Sequence, residues 1–247
     1  MTILSEILDF NKEFVDAKEY GELRTDKYPS REIAILTCMD ARIVELLPKA
    51  MGIKNGDAKI IKNAGALVSH PWGAVMRSLI VAALEFNAKE ILVIGHTDCG
   101  MRGFEPQHLL DKAMKCGIKE ETITTLRNAG IDLDGWLRGF DNVADSVRYT
   151  VEKVKNHPLM PQHVAIHGLV MHPTTGKLHT VVDGYKNETN PNIPDLLQSY
   201  QKEGTVPCCC SGDHLEDCSV SELELSDAVD PNKSAVAAEI ESATKKA

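Results

Sequence analysis

The stretch Ile35-Leu36-Thr37-Cys38-Met39-Asp40-Ala41-Arg42 decides how this chain folds. An apolar run ends, and a cysteine, an aspartate and an arginine follow at alternate positions. Such a run reads as a buried strand emptying into a polar loop. A second stretch repeats the plan: Ile91-Leu92-Val93-Ile94-Gly95-His96-Thr97-Asp98-Cys99-Gly100. Two strands that end this way in one parallel sheet can bring Cys38, His96 and Cys99 to one point. Thiolate and imidazole donors together make a soft set that prefers zinc.

Outward from these runs, strand and helix signals alternate. Ile33 to Thr37 is the first strand, and Glu45 to Gly52 reads as a short helix interrupted at Pro48. The turn Gly56-Asp57 leads into a second strand that ends at Lys62-Asn63-Ala64-Gly65. Ser69 is placed to cap the next helix, with Pro71 in its first turn. Val75, Leu79, Ala82, Ala83 and Phe86 form one apolar face of that helix. Ile80, Val81 and Leu84 widen it, which predicts a well-buried helix. Ile91 to Ile94 is the third strand. Val164 to Val170 is a fourth, and Pro173-Thr174-Thr175-Gly176 turns the chain back into Lys177–Val182 as a hairpin. The fold class is therefore α/β: a mostly parallel central sheet with an antiparallel edge strand, flanked by helices.

The remaining segments are less patterned. Residues 1–20 carry Ile3, Ile7, Leu8, Phe10, Phe14 and Val15 at helical spacing, which predicts an amphipathic helix against the body or a partner subunit. Helical pieces are expected at Glu105–Cys116 and Lys119–Asn128. Asp141 is placed to cap a helix marked by Val143, Val147, Val151 and Val154. Past Gly184 the chain turns polar, with short helices expected around 196–200 and 235–243. Three parts follow: an N-terminal helical arm (1–30), the α/β zinc domain (31–184) and an acidic extension with a cysteine cluster (185–247).

The formal net charge of −9 argues against a nucleic-acid surface. No apolar run approaches membrane-spanning length, and the N-terminal residues lack the pattern of a secretory signal, so the expected location is the cytoplasm. Seven cysteines, three of them contiguous, do not look like a secreted disulfide scaffold. Reduced thiols and metal ligation fit better.

Cys38-x-Asp40-x-Arg42 followed by His96-x-x-Cys99-Gly100 resembles the β class of carbonic anhydrases, from roughly residue 30 to 184. Lys62-Asn63-Ala64-Gly65 is similar to that family's intervening segment, and His96-Thr97-Asp98-Cys99-Gly100-Met101 is closest to its compact microbial branch. The resemblance implies one zinc per subunit, bound by Cys38, His96 and Cys99. It implies reversible hydration of carbon dioxide to bicarbonate and a proton by attack of zinc-bound hydroxide. It also implies a homodimer or dimer of dimers, with the N-terminal helix reaching across to its partner.

Asp40 has two jobs open to it. Paired with Arg42, it accepts a hydrogen bond from the attacking hydroxide. Swung inward, it is a fourth zinc ligand in a resting form; Arg42 would oppose that. Gly65 and its neighbours are candidates to lend backbone N–H groups near the substrate, and Gly100 to allow close approach of backbone to ligand. The plant-like relatives' glutamine before the first strand is absent from Tyr28-Pro29-Ser30-Arg31. Asp98 reads as a loop-capping residue without a catalytic task. His70, His108, His167, His172 and His179 read as ordinary polar or strand positions; His108, after the metal loop, is the nearest to a proton shuttle.

Cys208, Cys209, Cys210, His214 and Cys218 lie outside the resemblance, and three adjacent cysteines fit poorly around one ion. Two other functions stay open on the same residues. One is hydrolysis of carbon disulfide or carbonyl sulfide, linear triatomics open to the same attack. The other is a non-catalytic zinc protein, which would not require Asp40 and Arg42.

Overall fold

Two neighbouring parallel strands carry the centre of the structure. In the computed structural model β1 is Ile33–Cys38 and β3 is Glu90–His96, with Thr37 level with Ile94. Residues 2–186 and the backbone of 188–189 are described. Their remaining elements are α1 (Ile3–Asp16), α2 (Leu46–Ala50), β2 (Ala58–Asn63), α3 (Ala74–Leu84), α4 (Pro106–Lys115), α5 (Glu120–Asn128), α6 (Leu133–Leu137), α7 (Val143–Lys155), β4 (Ala165–Met171), β5 (Leu178–Asp183) and β6 (Glu188–Thr189). The strand order is β2-β1-β3-β4-β5-β6. β2, β1, β3 and β4 are parallel, while β5 and the two-residue β6 are antiparallel to their neighbours. The expected hairpin is present, and β6 lies beyond it.

The order explains where a site can form. From β1 the chain steps to β2 on one side, then crosses back to β3 on the other. The β1–β3 boundary is thus the topological switch point, where the carboxyl ends of strands open a crevice. Alternation along these strands feeds two cores. Ala34, Leu36, Ile91 and Val93 face the larger one, with Met76 and Leu79 of α3 and Val147 and Val151 of α7. Ile35, Leu92 and Ile94 face the smaller, with Ile43 and Leu47. Burial on both faces is why the strands read as continuous apolar runs. The buried Thr37 hydroxyl donates to the Ile94 carbonyl at 3.0 Å, a bond that contributes about 1 kcal/mol and ties β1 to β3. α7 lies close over β3 and β4: a Cβ on Gly95 would come within 2.8 Å of Val143, and one on Gly168 within 2.7 Å of Val147.

Several boundaries differ from the sequence reading. β1 and β3 run on to Cys38 and His96, so both side chains sit on strand ends and not in loops. Ser69 caps nothing: His70 and Pro71 belong to a turn in which Gly73 N–H bonds the His70 carbonyl, and α3 starts after Gly73. Pro48 does not interrupt α2, because it lies in the first turn, where no N–H donor is needed. Asn142, not Asp141, caps α7, accepting from Ala144 and Asp145 N–H. α6 has no counterpart in the sequence pattern; its Leu133 packs with Leu110 and Ile123 in a small separate cluster.

Two elements hold apolar surface that is exposed among the described residues. α1 is closed by a reciprocal Thr2–Ser5 capping box, yet Ile3, Leu4, Ile7, Leu8, Phe10 and Val15 are all exposed. α3 buries Met76, Leu79, Ala82 and Ala83 but leaves Val81 and Leu84 in the open, so it is not buried all round. The expected helices at 196–200 and 235–243, and the cluster Cys208, Cys209, Cys210, His214 and Cys218, lie outside the described residues.

Candidate metal centre

The strand ends deliver the ligands. Cys38 closes β1, His96 closes β3, and Cys99 follows one turn later. All three residues are buried, and the two Sγ atoms and the imidazole nitrogen lie within 4.8 Å of one another. Among the described residues this is the only such set of three. Cys38 Sγ and Cys99 Sγ are 3.8 Å apart. Two sulfurs about 2.3 Å from one tetrahedral zinc would be separated by nearly that distance.

The histidine supplies a sharper test of fit. His96 Nδ1 lies 2.8 Å from the Thr97 carbonyl, and opposite a carbonyl oxygen a ring nitrogen can only donate. That fixes the proton on Nδ1 and leaves the lone pair on Nε2. Nε2 is fully buried and has no hydrogen-bond partner. A buried acceptor left bare is costly unless something else takes its lone pair. A soft cation beside two sulfurs would do so, and three protein ligands would leave it room for one more.

The two thiols also act on each other across their 3.8 Å contact. Cys38 is driven well below the usual thiol range, first because Cys99 donates S–H to it, against the opposing effect of burial. The Gly65 N–H, 3.4 Å from Cys38 Sγ, helps in the same direction. Cys99 is pushed up by that same contact and by burial. Burial alone would lower His96, but Cys38 and the Thr97 carbonyl outweigh it and raise it. Gly65 can present its N–H because its φ of +79° is open to glycine, and Asn63 braces the turn through both Leu67 backbone groups.

Beside the ligands stands an ion-paired carboxylate. Asp40 caps the turn Ala41–Ile43, and its Oδ1 accepts from Arg42 N–H at 2.9 Å. Arg42 also grips Asp40 with Nε at 3.0 Å and Nη2 at 2.8 Å. This holds the Asp40 carboxyl down at about 2, the Arg42 side-chain bonds being the main cause. Asp40 is outside the metal-competent set, though Oδ2 is 3.7 Å from His96 Nε2.

A family model described as carbonic anhydrase matches residues 33–178. The chain belongs to the β-carbonic anhydrase family. Among solved structures, the β-carbonic anhydrase isoform TvaCA1 of Trichomonas vaginalis is 37% identical, with a TM-score of 0.69 over 75% of this chain and 100% of that one. YvdA of Bacillus subtilis (strain 168) is 51% identical over 188 residues, 76% of this chain and 95% of YvdA. The carbon disulfide hydrolase of Saccharolobus solfataricus is 33% identical over 189 residues, 71% of this chain and 89% of the hydrolase.

Within this β-carbonic anhydrase fold the structure brings together Cys38, His96 and Cys99, with Asp40 and Arg42 alongside. It corrects two readings, those of Asp98 and Gly65. Asp98 is no loop cap: Arg42 donates to its carboxylate at 2.6 Å and to its carbonyl at 2.7 Å. Gly65 aims its N–H at the Cys38 sulfur. Gly100 has an ordinary φ, and a Cβ there would meet open space. Among the other histidines, Nδ1 of His70 and of His172 each closes a local turn by accepting a backbone N–H. His167 lies against Glu90 and Asp183. The Asp98 contact joins residues 56 apart, and no local pattern in the sequence carries it.

Proposed function

We propose that the chain catalyses the reversible hydration of carbon dioxide to bicarbonate and a proton. The observation that carries this reading is the buried Cys38–His96–Cys99 set beside an Asp40–Arg42 pair, in a chain of this family. A zinc ion held by the three side chains supplies Lewis acidity that makes hydroxide available near neutral pH.

The chain's own residues do the rest. Asp40 is ionised at neutral pH, so it is purely an acceptor and would take a hydrogen bond from a hydroxyl held at the metal position, orienting it toward the substrate. Arg42 holds both Asp40 oxygens, so that Asp40 stays beside the ligands without joining them. The Gly65 N–H draws charge from the Cys38 sulfur. The proton released in each cycle leaves to solvent. Stopped-flow assays of zinc-loaded protein with carbon dioxide, and separately with carbon disulfide, test the substrate. Faster turnover of carbon disulfide would move the assignment to the hydrolases.

The same reading extends to assembly and location. The uncovered stripe of α1, with Ile60 on the free edge of β2 and Val81 and Leu84 on α3, supports a homodimer in which α1 crosses to the partner. A dimer of dimers is the larger assembly to look for. Ligand thiols must stay reduced, which fits the cytoplasm; among the described residues no helix is long and apolar enough to cross a membrane. Residues 1–30 act as the arm, 31–184 as the zinc domain and 185–247 as an acidic extension.

A further inference from the structure

We infer that Asp98 is a positioning residue for Asp40, acting through Arg42. The guanidinium lies between two carboxylates, one from each metal-binding segment. Toward Asp40 it donates Nε–H and Nη2–H, at 3.0 and 2.8 Å. Toward Asp98 it donates Nη1–H to Oδ2 at 2.6 Å and Nη2–H to the backbone carbonyl at 2.7 Å. Four of its five N–H groups are thereby fixed. Asp40 and Arg42 sit two residues apart on one turn, and alone they would move as a unit. Asp98 ties that unit to the segment bearing His96 and Cys99.

The tie matters because Asp40 Oδ2 is already 3.7 Å from His96 Nε2, the bare nitrogen that faces the metal position. A modest rotation would carry a carboxylate oxygen into the open coordination position and close the site. Holding Arg42 from the far side opposes that rotation, since Asp40 can follow only by breaking two bonds to a guanidinium that cannot follow it.

The competing account is that Asp98 serves its backbone alone. Its φ is +54°, in the left-handed region that Asp, Asn and Gly enter with least strain. Its side chain is 81% exposed, so charge attraction as such contributes little. The two accounts part at two substitutions. Glycine keeps the backbone and its carbonyl contact to Arg42 but removes the carboxylate that anchors Nη1. Asparagine keeps the backbone and one oxygen acceptor.

The inference rests on the carbonic anhydrase reading, but its main readout needs no turnover. The parent, Asp98→Gly and Asp98→Asn are loaded with cobalt(II) and titrated with azide, which needs the open position, while the visible spectrum is followed. Asp98→Gly should hold one cobalt per chain yet bind azide about tenfold more weakly, with a similar loss in kcat/KM for carbon dioxide on the zinc form. Asp98→Asn should stay within about threefold of the parent. Adding Asp40→Asn to Asp98→Gly should restore azide binding, because the intruding ligand is gone. Azide affinity in Asp98→Gly equal to the parent, loss of its cobalt, or an Asn variant as weak as the Gly variant would each overturn the inference. A parent that binds azide as expected but hydrates no carbon dioxide would sink the function and leave the positioning role standing.

Discussion

Arg42 grips Asp40 through two parallel hydrogen bonds, Nε to Oδ1 at 3.0 Å and Nη2 to Oδ2 at 2.8 Å. A lysine cannot reproduce that fork, because its ammonium is a single point of donation. Arg42→Lys should retain zinc and lose about ten- to a hundredfold in kcat/KM. Asp40→Asn, which can no longer act as a charged acceptor, should lose about a hundredfold or more with zinc retained. Stopped-flow assays alongside metal analysis check both; full activity in Asp40→Asn would remove that residue from the mechanism.

The same pair sets an acid limit. The Asp40 carboxyl is held at about 2 in the folded protein, chiefly by the Arg42 side chain, and returns to about 3.9 when unfolded. A depressed folded value means stability that is present above the unfolded value and lost as pH falls through the folded one. Metal-free parent should therefore lose stability between about pH 4 and pH 2 more steeply than metal-free Asp40→Asn. Acid titration followed by circular dichroism reads this; parallel curves would show that the pair does not contribute.

Much of this site was legible because its ligands end two long apolar runs. Ile33–Thr37 and Ile91–Ile94 could be placed as parallel strands, and Cys38, His96 and Cys99 came with them. What was hidden depends on contacts between distant residues. The Asp98–Arg42 bond spans two loops, and the Gly65–Cys38 bond uses a backbone N–H that has no sequence signature. The start of α3 was misplaced because Ser69 and Pro71 are equally at home in a turn, and the turn won. Val81 and Leu84 read as core since an apolar helix is usually enclosed; here the described residues leave that face exposed.

Metal binding should weaken as pH falls. Cys99 and His96 are both raised in the metal-free protein, so protons compete with the cation for them. Zinc affinity, measured by competition with a chromophoric chelator, should increase from mildly acid to alkaline pH. Stripping the zinc should lower the melting temperature, because binding to the folded state alone adds to its stability. A pH-independent affinity would mean that the ligands carry no proton before binding.

Assembly should depend on the stripe of α1. Ile7 and Phe10 are exposed in the single chain, and burying each against a partner is worth about 1.5–3 kcal/mol. Ile7→Asp combined with Phe10→Asp should weaken dimerisation by roughly a hundredfold or more, read by analytical ultracentrifugation. An unchanged sedimentation profile would place the interface elsewhere.

The central claim is that Cys38, His96 and Cys99 hold a zinc ion that works on carbon dioxide under the control of Asp40. Stopped-flow hydration of carbon dioxide by protein carrying one zinc per chain tests it most directly. The expected result is catalysis that rises toward alkaline pH, because two thiolates leave the ion less able to acidify water than neutral ligands would. Hydration no faster than in buffer, with the zinc fully in place, would contradict the account.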